Sequence, residues 1–372
     1  MFSSFSLIVT GECNYRCSYC YQEKDNLSLD AAAARKALDF FFPLFDRECS
    51  ILFYGGEPLL RMDTIRETVQ AVKAKNLRQA KKIQYSISTN GSLLDDDTLA
   101  FFDRNRFTVL LSFDGRAQDK GRKEGSFPLI SGALERLQDR PGIELLTNSV
   151  FSPETVTDLS ASIQDIVKRG VRDAQISFST HVPWGRKALA RLEAELSDLR
   201  RFLFAFGRKT GAVPVPNFRA PAETGVFGCL AGEDRMALSP DGRLWGCHLF
   251  YDLHKTMKSP ATARYSFGHL ESFVAHHKKS YPQVLAHYAD LRMDYFHTPR
   301  KFCGLCPDVH DCVICPVDAA LSSGIVGRIM SVDCRIRKIV RKEKRLLWND
   351  LGNSGIFPVR PRTRVSGRRL HA

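Results

Sequence analysis

The 372 residues suffice for one large domain or two unequal ones, and an apolar share of 44% marks a folded chain rather than a disordered one. No basic segment precedes an apolar run at the N-terminus and no run nears the length of a membrane span, so a cytoplasmic protein with no membrane partner is expected. The net charge of +13 is concentrated, with twelve Lys and Arg against two acids from Arg335 to Ala372 and the remainder close to neutral.

The predicted elements alternate through the first half. Strands are expected at "FSLIVT", "CSILFYGG", "KIQYSIST", "FTVLLSFDG", "GIELLTNSV" and "DAQISFST". Between them lie helical stretches, the first with Ser28 or Asp30 near its cap, and the long "RKALARLEAELSDLRRFLFAFGRK" follows the sixth strand. Short apolar runs separated by helices imply parallel strands joined by right-handed crossovers. Six such units form a partial or complete barrel or a doubly wound sheet, with ligand sites at the strand ends. The alternation stops near residue 210 at the Pro/Gly-rich "GAVPVPNFRAPAETG". Beyond it, the segment 229–334 is dense in cysteine and weak in periodicity, so it needs metal to hold it. A basic helix "RIRKIVRKEKRLLW" and a polar end follow.

Eleven cysteines in a cytosolic chain point to metal or redox chemistry rather than disulfides. Cys13, Cys17 and Cys20 form one group, and Cys229, Cys247, Cys303, Cys306, Cys312, Cys315 and Cys334 another. Cys49 stands alone and reads as a small buried hydrophobe. Structural zinc draws paired cysteines from two places. Three thiolates on one short loop instead suit three irons of a 4Fe–4S cube, leaving the fourth iron open.

The spacing Cys13-x3-Cys17-x2-Cys20, with Tyr19 just before the last thiol, resembles the signature of radical S-adenosylmethionine (SAM) enzymes. "YGGEP", with Gly55, Gly56, Glu57 and Pro58, follows the second strand; "STNG", with Ser88 and Asn90, the third; "SFDG", with Ser112 and Asp114, the fourth. The resemblance implies that these stretches touch the amino group, ribose and carboxylate of SAM. "QDKGR" resembles the family's His-Asp-x-x-Arg, placing Arg122 on the SAM carboxylate, with Gln118 where the family has histidine. The seven later cysteines follow the order of the SPASM extension, except for a two-residue gap between Cys312 and Cys315 where three is usual; a zinc ribbon is the alternative. Carried over, Cys303, Cys306, Cys312 and Cys334 hold an outer auxiliary 4Fe–4S cluster. Cys229, Cys247 and Cys315 hold an inner one, a thiolate short, and Glu223 lies in the stretch where some relatives add a cysteine.

The implied fold is a partial (β/α)6 TIM-like barrel (1–210), a linker (211–228), a SPASM domain (229–340) and a basic tail (341–372). The implied cofactors are SAM and three 4Fe–4S clusters, one SAM-binding and two auxiliary. The implied activity is a peptide or protein maturase forming a thioether or carbon–carbon crosslink. Alternatives are a sulfatase-type, formylglycine-generating maturase and a nucleic-acid-binding iron–sulfur protein. In the sulfatase type an acidic residue follows the cysteine equivalent to Cys247; here it is His248, a candidate base. Expected partners are a precursor peptide or protein, a separate leader-binding protein, and a reductant such as flavodoxin or ferredoxin; nucleic acid is not expected.

Overall fold

The computed structural model describes residues 1–219 and 225–354, so Glu223 and the chain from residue 355 lie outside the described residues. Six parallel strands run in chain order: β1 (Phe2–Thr10), β2 (Phe45–Gly55), β3 (Lys82–Thr89), β4 (Thr108–Ser112), β5 (Glu144–Phe151) and β6 (Ala174–Phe178). They are the partial barrel expected, and among these six each strand pairs with its neighbours in sequence. In β1 every residue from Phe5 to Thr10 is buried, as strands covered on both faces require. Cys49 is a buried β2 residue, as its apolar surroundings predict.

Helices Ala31–Phe41, Met62–Asn76, Asp96–Arg104, Ser126–Gln138, Leu159–Lys168 and Arg186–Thr210 join or follow the strands. Asp30 caps the first by accepting from the Ala32 amide, and Asp95 caps the third by accepting from the Thr98 amide. Buried aromatic rings, among them Phe5, Phe41, Phe45, Phe53, Phe102 and Phe107, fill the core between helices and sheet.

Sequence periodicity does not show the continuation of the sheet. Strands β7 (Arg235–Leu238), β8 (Arg243–Trp245) and β9 (Ser266–His269) extend it, in the order β6-β5-β4-β3-β2-β1-β7-β8-β9. β7 lies parallel to β1, pairing Phe5 with Met236, and β8 and β9 are antiparallel. Gly242, at φ +76°, makes the tight β7–β8 turn. Helices His248–Met257, Leu270–Ala289, Pro316–Ser323 and Ser331–Asn353 complete the described fold. The last runs unbroken through residue 340, where the tail was expected to begin. It packs along Arg186–Thr210, burying Ile336, Leu347 and Leu351. Among the described residues no helix is long and apolar enough to cross a membrane.

Candidate functional site

The first cysteine loop leaves the C-terminal end of β1 and is pinned on both sides. Ser18 donates its amide to the Gly121 carbonyl at 2.9 Å, and Gly11 donates to Leu27 at 2.9 Å. The Tyr15 amide points at Cys13 Sγ, 3.4 Å away. Cys20 lies close enough to both Cys13 and Cys17 for a charge on one to raise the proton affinity of the others. Burial pushes the Cys13 and Cys17 thiols up, while Lys24 beside Cys13 and Arg122 beside Cys17 pull the other way.

The glycines after β2 serve this loop. Gly56 donates to the Thr10 carbonyl at 2.9 Å, and Glu57 to the Glu12 carbonyl at 2.8 Å. A side chain on Gly55, which sits at φ +151°, would overlap the Thr10 carbonyl; one on Gly56 would overlap that of Glu12 and press on Cys13. Pro58 opens the short helical turn that follows. The Glu57 carboxylate is fully buried and accepts from the Leu59 amide (3.1 Å), the Thr89 hydroxyl (2.6 Å) and the Asn90 amide (2.7 Å). Burial raises its pKa although these three bonds oppose the rise. Asn90 in turn donates to the Asn14 side chain at 2.8 Å, fastening β3 to the cysteine loop.

Ser88 and Ser112 stand at the C-terminal ends of β3 and β4, and Asp114 just beyond β4 is wholly buried. Asp114 Oδ1 accepts from Arg122 (2.9 Å) and the Val150 amide (2.9 Å), and Oδ2 from the Tyr19 hydroxyl (2.5 Å). The Arg122 guanidinium lies over the Tyr19 ring, 5.5 Å from its centroid. Gln118 accepts from the Asp114 amide at 3.0 Å, so it supports this triad from behind. Arg122 Nε and the Tyr15 hydroxyl are buried with no hydrogen-bond partner among the described residues.

The seven later cysteines fall into two sets. Cys315 lies near Cys229 and Cys247, and Cys303 near Cys306, Cys312 and Cys334. Burial pushes Cys247 up to about 12 and Cys303 up to about 11. A small apolar cluster of Met293, Phe296, Val309, Ile314, Ala319 and Ile329 packs around the second set, separate from the main core. Tyr21 joins the two halves of the site: half-buried, it lies near Cys20 of the first loop and Cys315 of the inner set. Its hydroxyl is 3.1 Å from that of Tyr54, which donates to Asp252 Oδ2 at 3.1 Å.

His248 begins the helix that follows Cys247. Its Nδ1 lies 3.3 Å from the Ser6 hydroxyl and its ring 4.1 Å from that of Tyr54. Burial and the nearby Arg235 push its pKa down to about 3, so the ring is neutral and weakly basic. The sequence reading quoted Tyr54 and Thr89 inside "YGGEP" and "STNG" without giving either a role, and did not single out Tyr21, Gln22 or Asp252; the partners that make each significant are distant in the chain.

A family model described as the Radical SAM superfamily matches residues 7–168. The chain is 34% identical over 145 residues to the cysteine-type anaerobic sulfatase-maturating enzyme of Clostridium novyi, covering 34% of this chain and 38% of that enzyme. It is 36% identical over 211 residues to an uncharacterised protein of Methanocaldococcus jannaschii, covering 54% of this chain and 70% of that protein. The solved structure of native anSMEcpe with bound AdoMet has a TM-score of 0.72 at 16% identity, covering 94% of this chain and 99% of that one, a likeness of fold. Thiol loop, glycine turn and matched family agree: the chain belongs to the radical SAM superfamily.

Proposed function

We propose that the protein is a radical SAM maturase of a peptide or protein, with residues 229–340 forming a SPASM domain. Cys13, Cys17 and Cys20 would hold the SAM-binding 4Fe–4S cluster. Cys229, Cys247 and Cys315 would hold an inner auxiliary cluster, and Cys303, Cys306, Cys312 and Cys334 an outer one. The donor set suits such groups: soft sulfur ligands, a backbone amide aimed at Cys13, and burial that disfavours free thiolates until a cation takes them. With a cluster and SAM held there, the chemistry supplied would be that of a 5′-deoxyadenosyl radical. The loop ends carrying Gly55, Gly56, Glu57, Pro58, Ser88, Asn90, Ser112 and Asp114 would frame SAM. The unpartnered Arg122 Nε leaves that side chain a donor for the SAM carboxylate.

The observation that supports this reading is Tyr21, which lies near both Cys20 of the first loop and Cys315 of the inner set, so that the two thiol sets approach one another. A peptide substrate accords with relatives: anSMEcpe has been solved with AdoMet and the Kp18Cys peptide. A sulfatase-type, formylglycine-generating activity is the second reading, favoured by the Clostridium novyi match. A flavodoxin or ferredoxin would deliver the electron, and a separate protein could present the leader.

The test is iron and SAM. Anaerobically reconstituted protein should bind about twelve irons, and Cys13, Cys17 and Cys20 changed together to Ala should remove about four with all SAM cleavage. Stoichiometric zinc, or about four irons in the parent, would remove the auxiliary clusters from the reading.

A further inference from the structure

Most buried carboxylates around the site are already engaged. Glu57 takes three donors from the protein, and Asp114 is ion-paired to Arg122 at 2.9 Å. Asp318 stands 3.8 Å from Arg337. Asp252 differs. It is 5% exposed, and its hydrogen bonds come only from the neutral Tyr54 hydroxyl and Gln22 Nε2, both to Oδ2 at 3.1 Å. No donor among the described residues is bonded to Oδ1. Facing Asp252 are Tyr21, Gln22, Tyr54 and, on its own helix and at that helix's start, Cys247, Tyr251 and Lys255. Lys255 is itself held by Asp25 at 2.7 Å. Burial lifts the Asp252 carboxyl to about 6, within the range useful for accepting a proton near neutrality.

We propose that Asp252, reached through the hydroxyls of Tyr21 and Tyr54 from between the two thiol sets, is the proton acceptor of the reaction. This rests on the maturase reading. When a substrate radical is oxidised by one electron, a carbon–, nitrogen– or sulfur–hydrogen bond breaks. The electron leaves to a one-electron acceptor of the iron–sulfur class, and the proton passes to the Asp252 carboxylate. The requirement is common to crosslinking and to formylglycine formation.

The test uses the reconstituted protein, a synthetic peptide bearing one cysteine, and the variants Asp252→Asn, Asp252→Glu and Tyr54→Phe. Infrared difference titration should show a carboxyl band deprotonating near pH 6. It should vanish in Asp252→Asn and shift in Tyr54→Phe. With peptide, Asp252→Asn should lower product by about 100-fold or more, with the loss falling on product rather than on hydrogen transfer to 5′-deoxyadenosine. Asp252→Glu should recover most of that loss. A band that survives in Asp252→Asn, or product within about threefold of the parent, would overturn the assignment. A parent protein that cleaves no SAM would overturn the maturase reading and with it this role for Asp252, whereas a parent that cleaves SAM beside an Asp252→Asn protein with undiminished product overturns the role alone.

Discussion

Glu57 ties the end of β2 to the end of β3 with one carboxylate and three donors. Cutting it to Ala strands the Asn90 amide and the Thr89 hydroxyl in the core, and a stranded buried donor costs about 1–3 kcal/mol. Glu57→Ala should therefore lower the stability of the protein by about 3 kcal/mol in denaturant titration, and weaken SAM binding by loosening the Asn90–Asn14 link to the cysteine loop. Asp252 makes the opposite prediction. Its carboxyl is raised to about 6, so its contribution is fully present below the unfolded value near 4 and is lost as pH climbs through 6. Asp252→Asn should gain on the parent across that window, by up to about 3 kcal/mol at pH 7, read from paired unfolding curves at pH 4.5 and 7. A substitution that stabilises the fold while removing the product would mark a residue kept for chemistry.

At the level of elements, the cysteine loop and the Gly55-Gly56 turn behave as one piece. Gly56→Ala would drive a methyl group into the Glu12 carbonyl and against Cys13. On the proposed three-cluster reading, it should cost the first thiol set its iron, about four per chain, and leave the iron of the other two sets in place. Gly132→Ala is the control: inside the helix Ser126–Gln138 its new methyl meets nothing within 4 Å, and stability should hold or rise by up to about 1 kcal/mol. This coupling bears on what could be read from the chain. Cys13, Cys17 and Cys20 announce themselves because their spacing is local, and the six strand–helix alternations because burial on both faces writes apolar runs. The glycine turn was legible as a close approach, but the backbone it approaches is that of the cysteine loop. Tyr54 and Asp252 could not be matched, since 198 positions separate them and neither has a diagnostic neighbour. The four-residue β7 and three-residue β8 are too short for any period to show.

For the molecule as a whole, the basic C-terminal region divides in two. Much of the charge on the helix Ser331–Asn353 is spent internally: Arg341 meets Asp308 at 2.9 Å, Lys342 meets Glu193 at 2.6 Å, and Arg345 meets Asp311 at 2.9 Å. Arg200 reaches back to Glu343 and Asp350, and Trp348 donates to the Phe218 carbonyl at 2.7 Å. Ending the chain after Arg345 would strip the buried Leu347 and Leu351 from this seam and should cost about 3 kcal/mol or more in thermal unfolding. Ending it after Ser354 keeps this seam whole. It also removes five arginines and no acid, so any low-salt attraction for an acidic peptide should fall in that shortened protein, as the rise in its apparent Michaelis constant would report. The position of β1 has a further consequence, for synthesis. β1 leaves the ribosome before the other strands of this sheet, yet it lies inside the finished sheet, hydrogen-bonded to β2 on one side and to β7 on the other. Its second partner begins at Arg235, more than two hundred residues later. Until that segment emerges, the nascent barrel carries an open, apolar strand edge from Phe5 to Leu7, the kind of edge that recruits other chains. The cysteine-rich half thus closes the sheet that the first half begins, and the interval between the two is when the growing chain most needs a chaperone.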